Sequence, residues 1–161
     1  MSILNNDLMK WISLALAIAV VDQVTKDFAT TYLAYGDPLA VISGVNLTLL
    51  HNTGAAFSFL HEQNGWQRWF FSILTVAVSL GLIVWLKRLP TREVTSHVAI
   101  CLILGGAFGN LIDRVLLGYV VDFIQLYFST WYWPVFNLAD ASITIGAILL
   151  IFKGPSFDKV D

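Results

Sequence analysis

Four stretches of the chain are apolar for long enough to form helices in hydrocarbon, and the polar positions gather in short clusters between and within them. Residues 11–21 are apolar behind Lys10, and the pattern carries a first helix over 8–32. Three further apolar runs predict helices over 69–86, 97–117 and 135–152. A helical span needs about 20 mainly apolar residues, so each run is read as a transmembrane helix. The first could be the core of a signal peptide, but Asp22 and Lys26 stand where a small-residue cleavage motif belongs. With more spans downstream, it is read as retained.

Residues 36–65 break this pattern. Gly36-Asp37-Pro38 is a turn signal. Residues 41–50 are rich in β-branched residues and leucine, with polar and apolar positions alternating at Asn46-Leu47-Thr48-Leu49. The run is too short and too polar to span, which predicts a small β region outside the membrane. Two tryptophans and Arg68 within 63–69, and Trp131-Tyr132-Trp133 ahead of the last run, read as interfacial belts. Lys10, the basic loop at 87–92 and the tail at 153–159 fall on one side of the spans. That side is expected to be cytoplasmic, which places both termini inside and the β region outside. The expected architecture is one membrane domain over 1–161: all-α, with four transmembrane helices and a small extracytoplasmic β region.

Composition agrees. The 161 residues are 57% hydrophobic and only 12% charged, with mean hydropathy +0.73. Soluble domains carry about 25% charged residues. A net charge of −2 offers no basic surface for nucleic acid. The one cysteine, Cys101, excludes an internal disulfide framework. His97 precedes it by one helical turn, but no third group stands near to orient a base for a cysteine nucleophile. His51 and His61-Glu62 have no partners at metal-ligand spacing.

The polar clusters carry the chemistry. Asn110, Asp113 and Arg114 are spaced i, i+3, i+4 and are expected on one helical face, in a run that also holds the small-residue pair Gly105 and Gly109. Asp122 follows just past the expected helix end. Asp140 is expected about five residues, roughly 7 Å, into the fourth helix, one turn after Asn137. Asp22 and Lys26 are i, i+4 partners in the first helix. Charge inside a membrane is costly and marks a polar site in the bundle, although an Asp113–Arg114 pair could merely pin a helix end. Antiparallel third and fourth helices would bring Asp122 and Asp140 to one depth. Two carboxylates in a confined site push their pKa values apart, so one can serve as general base on water and the other as acid on a carbonyl oxygen. That is aspartic-peptidase chemistry. A proton or ion relay would use the same residue types. There is no Gly-x-Ser-x-Gly elbow and no His-Glu-x-x-His zinc motif.

Five segments together resemble the bacterial lipoprotein signal peptidase family, also called signal peptidase II. They are Asp22-Gln-Val-Thr-Lys26, His51-Asn-Thr-Gly-Ala-Ala-Phe57, Gly105-Gly-Ala-Phe-Gly-Asn-Leu-Ile-Asp-Arg114, Val120-Val-Asp-Phe123 and Phe136-Asn-Leu-Ala-Asp-Ala-Ser142. The resemblance implies an aspartic endopeptidase of the bacterial cytoplasmic membrane, without metal or other cofactor. It implies a prolipoprotein substrate, cut just before a cysteine that already carries a diacylglyceryl group. It carries the catalytic pair over to Asp122 and Asp140. Asn52, Asn110, Arg114 and Asn137, with Asp22, Lys26 and Asp113, fall on positions that line or support the site. It also implies four transmembrane helices and a small outer β-sheet that cradles the substrate. Apart from the resemblance, apolar residues of the β region such as Phe57 and Phe59 could cover a peptide there. Arg114 can pair with Asp113 or with a substrate carbonyl.

Overall fold

A computed structural model describes residues 2–54 and 65–153. Helix α1 (Ser2–Tyr32) leads to a hairpin of β1 (Leu39–Ile42) and β2 (Val45–Asn52). Helices α2 (Trp66–Arg88) and α3 (Val94–Leu116) follow, then β3 (Val120–Phe128), the short β4 (Trp131–Tyr132) and α4 (Leu138–Lys153). The strands form one antiparallel sheet in the order β1-β2-β3-β4. The protein is therefore mostly helical with a four-stranded sheet.

Among the described residues three helices are long and apolar enough to cross a membrane: α1 from Leu8, α2 and α3. Residues 135–152, expected as a fourth span, hold a 16-residue helix that starts at Leu138, because Asn137 ends the extended chain and caps it, and this helix is not among the three. The second helix starts at Trp66 rather than 69, and its first turn is held by Arg68 Nη2 on Val115 O at 2.6 Å, at the end of α3. The larger departure is β3. Residues 118–134, which lie between the third and fourth predicted helices and outside the predicted β region, supply half of the sheet.

α3 is the central helix: half of its apolar window (50%) is buried, against 22% for α1 and 17% for α2. Small residues make this possible. A Cβ at Gly105 would lie 2.6 Å from Ala15 O on α1, and one at Gly146 of α4 would lie 2.6 Å from Ala99 O on α3. Neither helix pair could approach as closely with a side chain there. Ala15, Leu86, Ile100, Cys101 and Leu104 form the core at this level. Elsewhere the large apolar side chains, such as Leu16, Val20, Ile73, Leu80 and Ile151, point outward. This is the inverse of a soluble bundle and suits lipid.

The sheet sits on the far end of α1, where Ala29 packs with Leu49, Val121 and Phe123. β2 pairs with β3 so that Leu50 faces Asp122 and Asn52 faces Val120. Phe123 N and Ile124 N both donate to Phe136 O, at 3.0 and 2.8 Å, and Phe136 N returns to Ile124 O at 3.0 Å. The chain entering α4 is thereby laid along β3, and Asn137 arrives beside Asp122. At the other end of the bundle, Lys153 pairs with Glu93 and donates to Ser96 Oγ at 2.7 Å, fastening α4 to the start of α3.

Candidate active site

Asp140 owes its place to the start of α4. Asn137 Oδ1 accepts the Asp140 N–H at 2.8 Å, and Asp140 Oδ2 accepts the Asn137 N–H at 3.4 Å. This reciprocal pair is a capping box, in which an N-cap side chain and the residue three positions on satisfy each other's backbone. Asp140 is thus the third residue of the helix, not about the fifth, because the helix begins later than its apolar run suggests.

Asn137 is fully buried (0% exposed) and also reaches the second carboxylate: its Nδ2 donates to Asp122 Oδ1 at 2.7 Å. The same amide donates to Asn110 Oδ1 at 3.2 Å and Val121 O at 3.3 Å. The other Asp122 oxygen accepts Asn52 Nδ2 at 2.9 Å, and Asn52 is oriented by its Oδ1, which accepts Gly54 N–H at 2.8 Å. Asn110 Nδ2 donates to Asp140 Oδ1 at 2.8 Å. Three asparagines therefore hold two carboxylates, and Asn137 touches both.

Asp122 is 2% exposed. Burial pushes its carboxyl up to about 6; the Asn52 hydrogen bond opposes this, and the charge of Asp140 adds to it. Asp140 is less enclosed and opens on a cavity of about 280 Å³ between α2, α3 and α4. Asp140, Asn110, Arg114 and Thr75 supply its polar lining, and Phe71, Leu74 and Ile103 lie among its apolar walls.

The shared face expected for Asn110, Asp113 and Arg114 divides in two. Arg114 turns to the cavity, with Nη1 3.4 Å from Asn110 O and its guanidinium 5.5 Å over the Phe71 ring. Asp113 turns to α1, where its Oδ2 lies 2.9 Å from Lys26 Nζ. Among the described residues Arg114 has no ion pair with Asp113, so an Asp–Arg staple at the helix end is not what these residues form. Lys26 pairs with Asp22 Oδ2 at 2.8 Å, as the i, i+4 spacing predicts, and also donates to Asn110 Oδ1 at 2.8 Å. Gly109 packs directly on the Asp22 carboxylate.

Gln23 lies within the first of the family segments and carries no predicted role. Its Nε2 donates to Asp113 Oδ1 at 2.8 Å and Gly109 O at 3.1 Å. His51 stacks on Tyr119 at 4.0 Å, and the Cys101 thiol donates to Trp11 O at 3.2 Å. Among the described residues no three His, Cys, Asp or Glu side chains gather to hold a metal ion. Phe57, Phe59 and His61-Glu62 lie outside the described residues.

Residues 14–154 match the family model for signal peptidase (SPase) II. The chain belongs to the signal peptidase II family. It is a membrane aspartic peptidase, and the family and the apolar helices make it a multi-pass protein of the bacterial inner membrane. It is 54% identical over 141 residues to a lipoprotein signal peptidase of Acinetobacter baumannii, covering 88% of this chain and 80% of that one. It is 47% identical over 144 residues to the lipoprotein signal peptidase of Pseudomonas aeruginosa, covering 88% and 85%. Its fold is similar to that of a solved bacterial membrane enzyme at TM-score 0.81 and 37% identity, covering 92% of this chain and 94% of that chain.

Proposed function

We propose that this signal peptidase II removes the signal peptide from diacylglyceryl-modified prolipoproteins by hydrolysing the bond just before the lipidated cysteine, with Asp122 and Asp140 as the catalytic pair. The observation that carries this reading is Asn137, hydrogen-bonded to both carboxylates, one of which, Asp140, lines the cavity. Asp122, buried and raised to about 6, holds the shared proton. Asp140, which lines the cavity, takes a proton from water as the water oxygen attacks the scissile carbonyl carbon. Asp122 gives its proton to the carbonyl oxygen. The resulting gem-diol collapses: Asp140 passes its proton to the leaving nitrogen, the C–N bond breaks, and Asp122 recovers a proton from a hydroxyl. Arg114, over Phe71 in the cavity wall, is suited to a substrate carbonyl. Asn52, Asn110 and Asn137 orient the pair.

The topology that serves this chemistry is one membrane domain of four spans, with both termini cytoplasmic and the sheet and active site at the outer face. Lys87, Arg88, Arg92 and Lys153 lie at the helix ends opposite the dyad, and Lys10 lies in the N-terminal third of α1. α4 rises about 24 Å over its 16 residues, short of a hydrocarbon core of about 30 Å. Its capped start therefore lies just below the outer surface, where a lipid-anchored cysteine would present its peptide bond.

The test is incubation of the purified protein with a diacylglyceryl-modified precursor beside the unlipidated form. Cleavage of the lipidated form alone, with the modified cysteine as the new N-terminus, is expected. Equal cleavage of both, or solute transport by reconstituted protein that leaves precursor uncut, would overturn the reading.

A further inference from the structure

Between the dyad and α1 lies an ionic cluster whose contacts repeat on its two sides. Lys26 (3% exposed) holds Asp22 (0%) at 2.8 Å and Asp113 (3%) at 2.9 Å. The second oxygen of Asp22 accepts the N–H of Ala139 at 2.8 Å, and Ala139 immediately precedes Asp140. Asp113 accepts the N–H of Val121 at 3.0 Å, and Val121 immediately precedes Asp122. Gln23 joins the two sides, 2.8 Å from Asp113 Oδ1 and 3.4 Å from Asp22 Oδ2. All four carboxylate oxygens have donors, and the three Lys26 protons go to Asp22, Asp113 and Asn110, whose amide holds Asp140.

Pairing α1 with α3 would need only one such ion pair. It would not require that both anions end on the backbone N–H one residue before a dyad carboxylate. Buried ion pairs are weak sources of stability, since apolar residues of similar volume often serve as well. Their charge-assisted bonds are short and directional, and so fix geometry. We infer that Lys26, with Asp22, Asp113 and Gln23, is a positioning unit that sets the separation of Asp122 and Asp140 by tying the backbone before each of them to one buried cation. This rests on the dyad reading above and adds which residues tune it. None of the four touches the reacting bond; they act through Ala139, Val121 and Asn110.

The test reads the two backbone amides and the kinetics together. In ¹⁵N-labelled protein, Asp22→Asn should move the Ala139 amide resonance and leave Val121, Asp113→Asn should do the converse, and Lys26→Met should move both. Each variant should lower kcat on a lipidated precursor about 10²-fold, the cost of roughly 1 Å of misplacement, with KM within about twofold. Gln23→Leu should lower kcat less than any of them. If Lys26→Met does not fold, the isosteric Asp22→Asn and Asp113→Asn decide the matter. Unchanged kcat in folded variants, or raised KM with unchanged kcat, would overturn the positioning unit. Asp122→Asn and Asp140→Asn run in parallel separate the two claims. If these are inactive while the cluster variants cut normally, only the positioning unit fails; if these cut normally, the dyad itself fails.

Discussion

Replacing Asp122 by asparagine should alter stability in a pH-dependent way that can be worked from its surroundings. In the fold the Asp122 carboxyl is raised from 3.8 to about 6, chiefly by burial. Its folded-state pKa lies above the unfolded value, so folding takes up a proton between about pH 4 and pH 6. Stability contributed by this group is present below the unfolded value and is lost as pH rises through the folded one. A shift of about two units corresponds to about 3 kcal/mol. The amide introduced by Asp122→Asn would not titrate. It would meet two amide donors, because Asn52 and Asn137 are each locked by an N–H on their Oδ1. One of the two contacts would become donor against donor, a cost of about 1–3 kcal/mol that does not change with pH. The readout is therefore the difference in Tm between the variant and the parent, followed by tryptophan fluorescence in detergent from pH 4 to pH 8. The variant should gain on the parent by about 3 kcal/mol, or about 6–12 °C for a chain of this size, as pH rises to 7. Titrating groups that do not interact with Asp122 cancel in the difference, and Asp140, which does, is relieved of the Asp122 charge in the variant, which works in the same direction. A flat difference, or a parent that gains on the variant with pH, would refute the raised carboxyl.

Further outcomes follow from the same geometry. Gly109→Ala would place a Cβ 3.0 Å from Asp22 Cγ, so it should lower stability by about 1–3 kcal/mol despite better helix propensity. Gly81→Ala, with nothing within 4 Å of the new Cβ, should raise stability by up to about 1 kcal/mol; thermal unfolding of the two variants checks both. Arg114→Gln should lower kcat/KM at least about tenfold while Tm barely moves, since the Arg114 hydrogen bond to Asn110 O is long at 3.4 Å. The profile of kcat/KM against pH should be bell-shaped, with its alkaline limb near pH 6 from the free enzyme's Asp122; a flat profile would contradict the proton-sharing pair.

What the sequence shows and what it hides have physical reasons. α1, α2 and α3 are visible because hydrocarbon demands long apolar runs, and Asp22 pairs with Lys26 because helical spacing alone decides that contact. β3 is hidden because its ladder partner β2 is about seventy residues away, although Val120, Val121, Phe123 and Ile124 carry the β-branched and aromatic signature of a strand. The split of Asp113 from Arg114 cannot be read from spacing: it is set by which neighbouring helix offers Lys26 and which offers Phe71. Gly105 and Gly109 stand out as a pair, while Gly106 on Ala139 and Gly146 on Ala99 acquire meaning only when α3 meets α4. Asn137 is readable as a neighbour of Asp140 on one face, but its contact with Asp122 needs the backbone of Phe136 laid along β3. Gln23 gives no signal, since its two shorter contacts, with Asp113 and Gly109, come from a helix more than eighty residues on.

The most direct measurement of the central claim is cleavage of a diacylglyceryl-modified precursor by Asp122→Asn and by Asp140→Asn, each purified and shown to be folded. Both should leave the precursor intact under conditions in which the parent converts it completely. Cleavage at the parental rate by either variant would contradict the assignment of these two carboxylates.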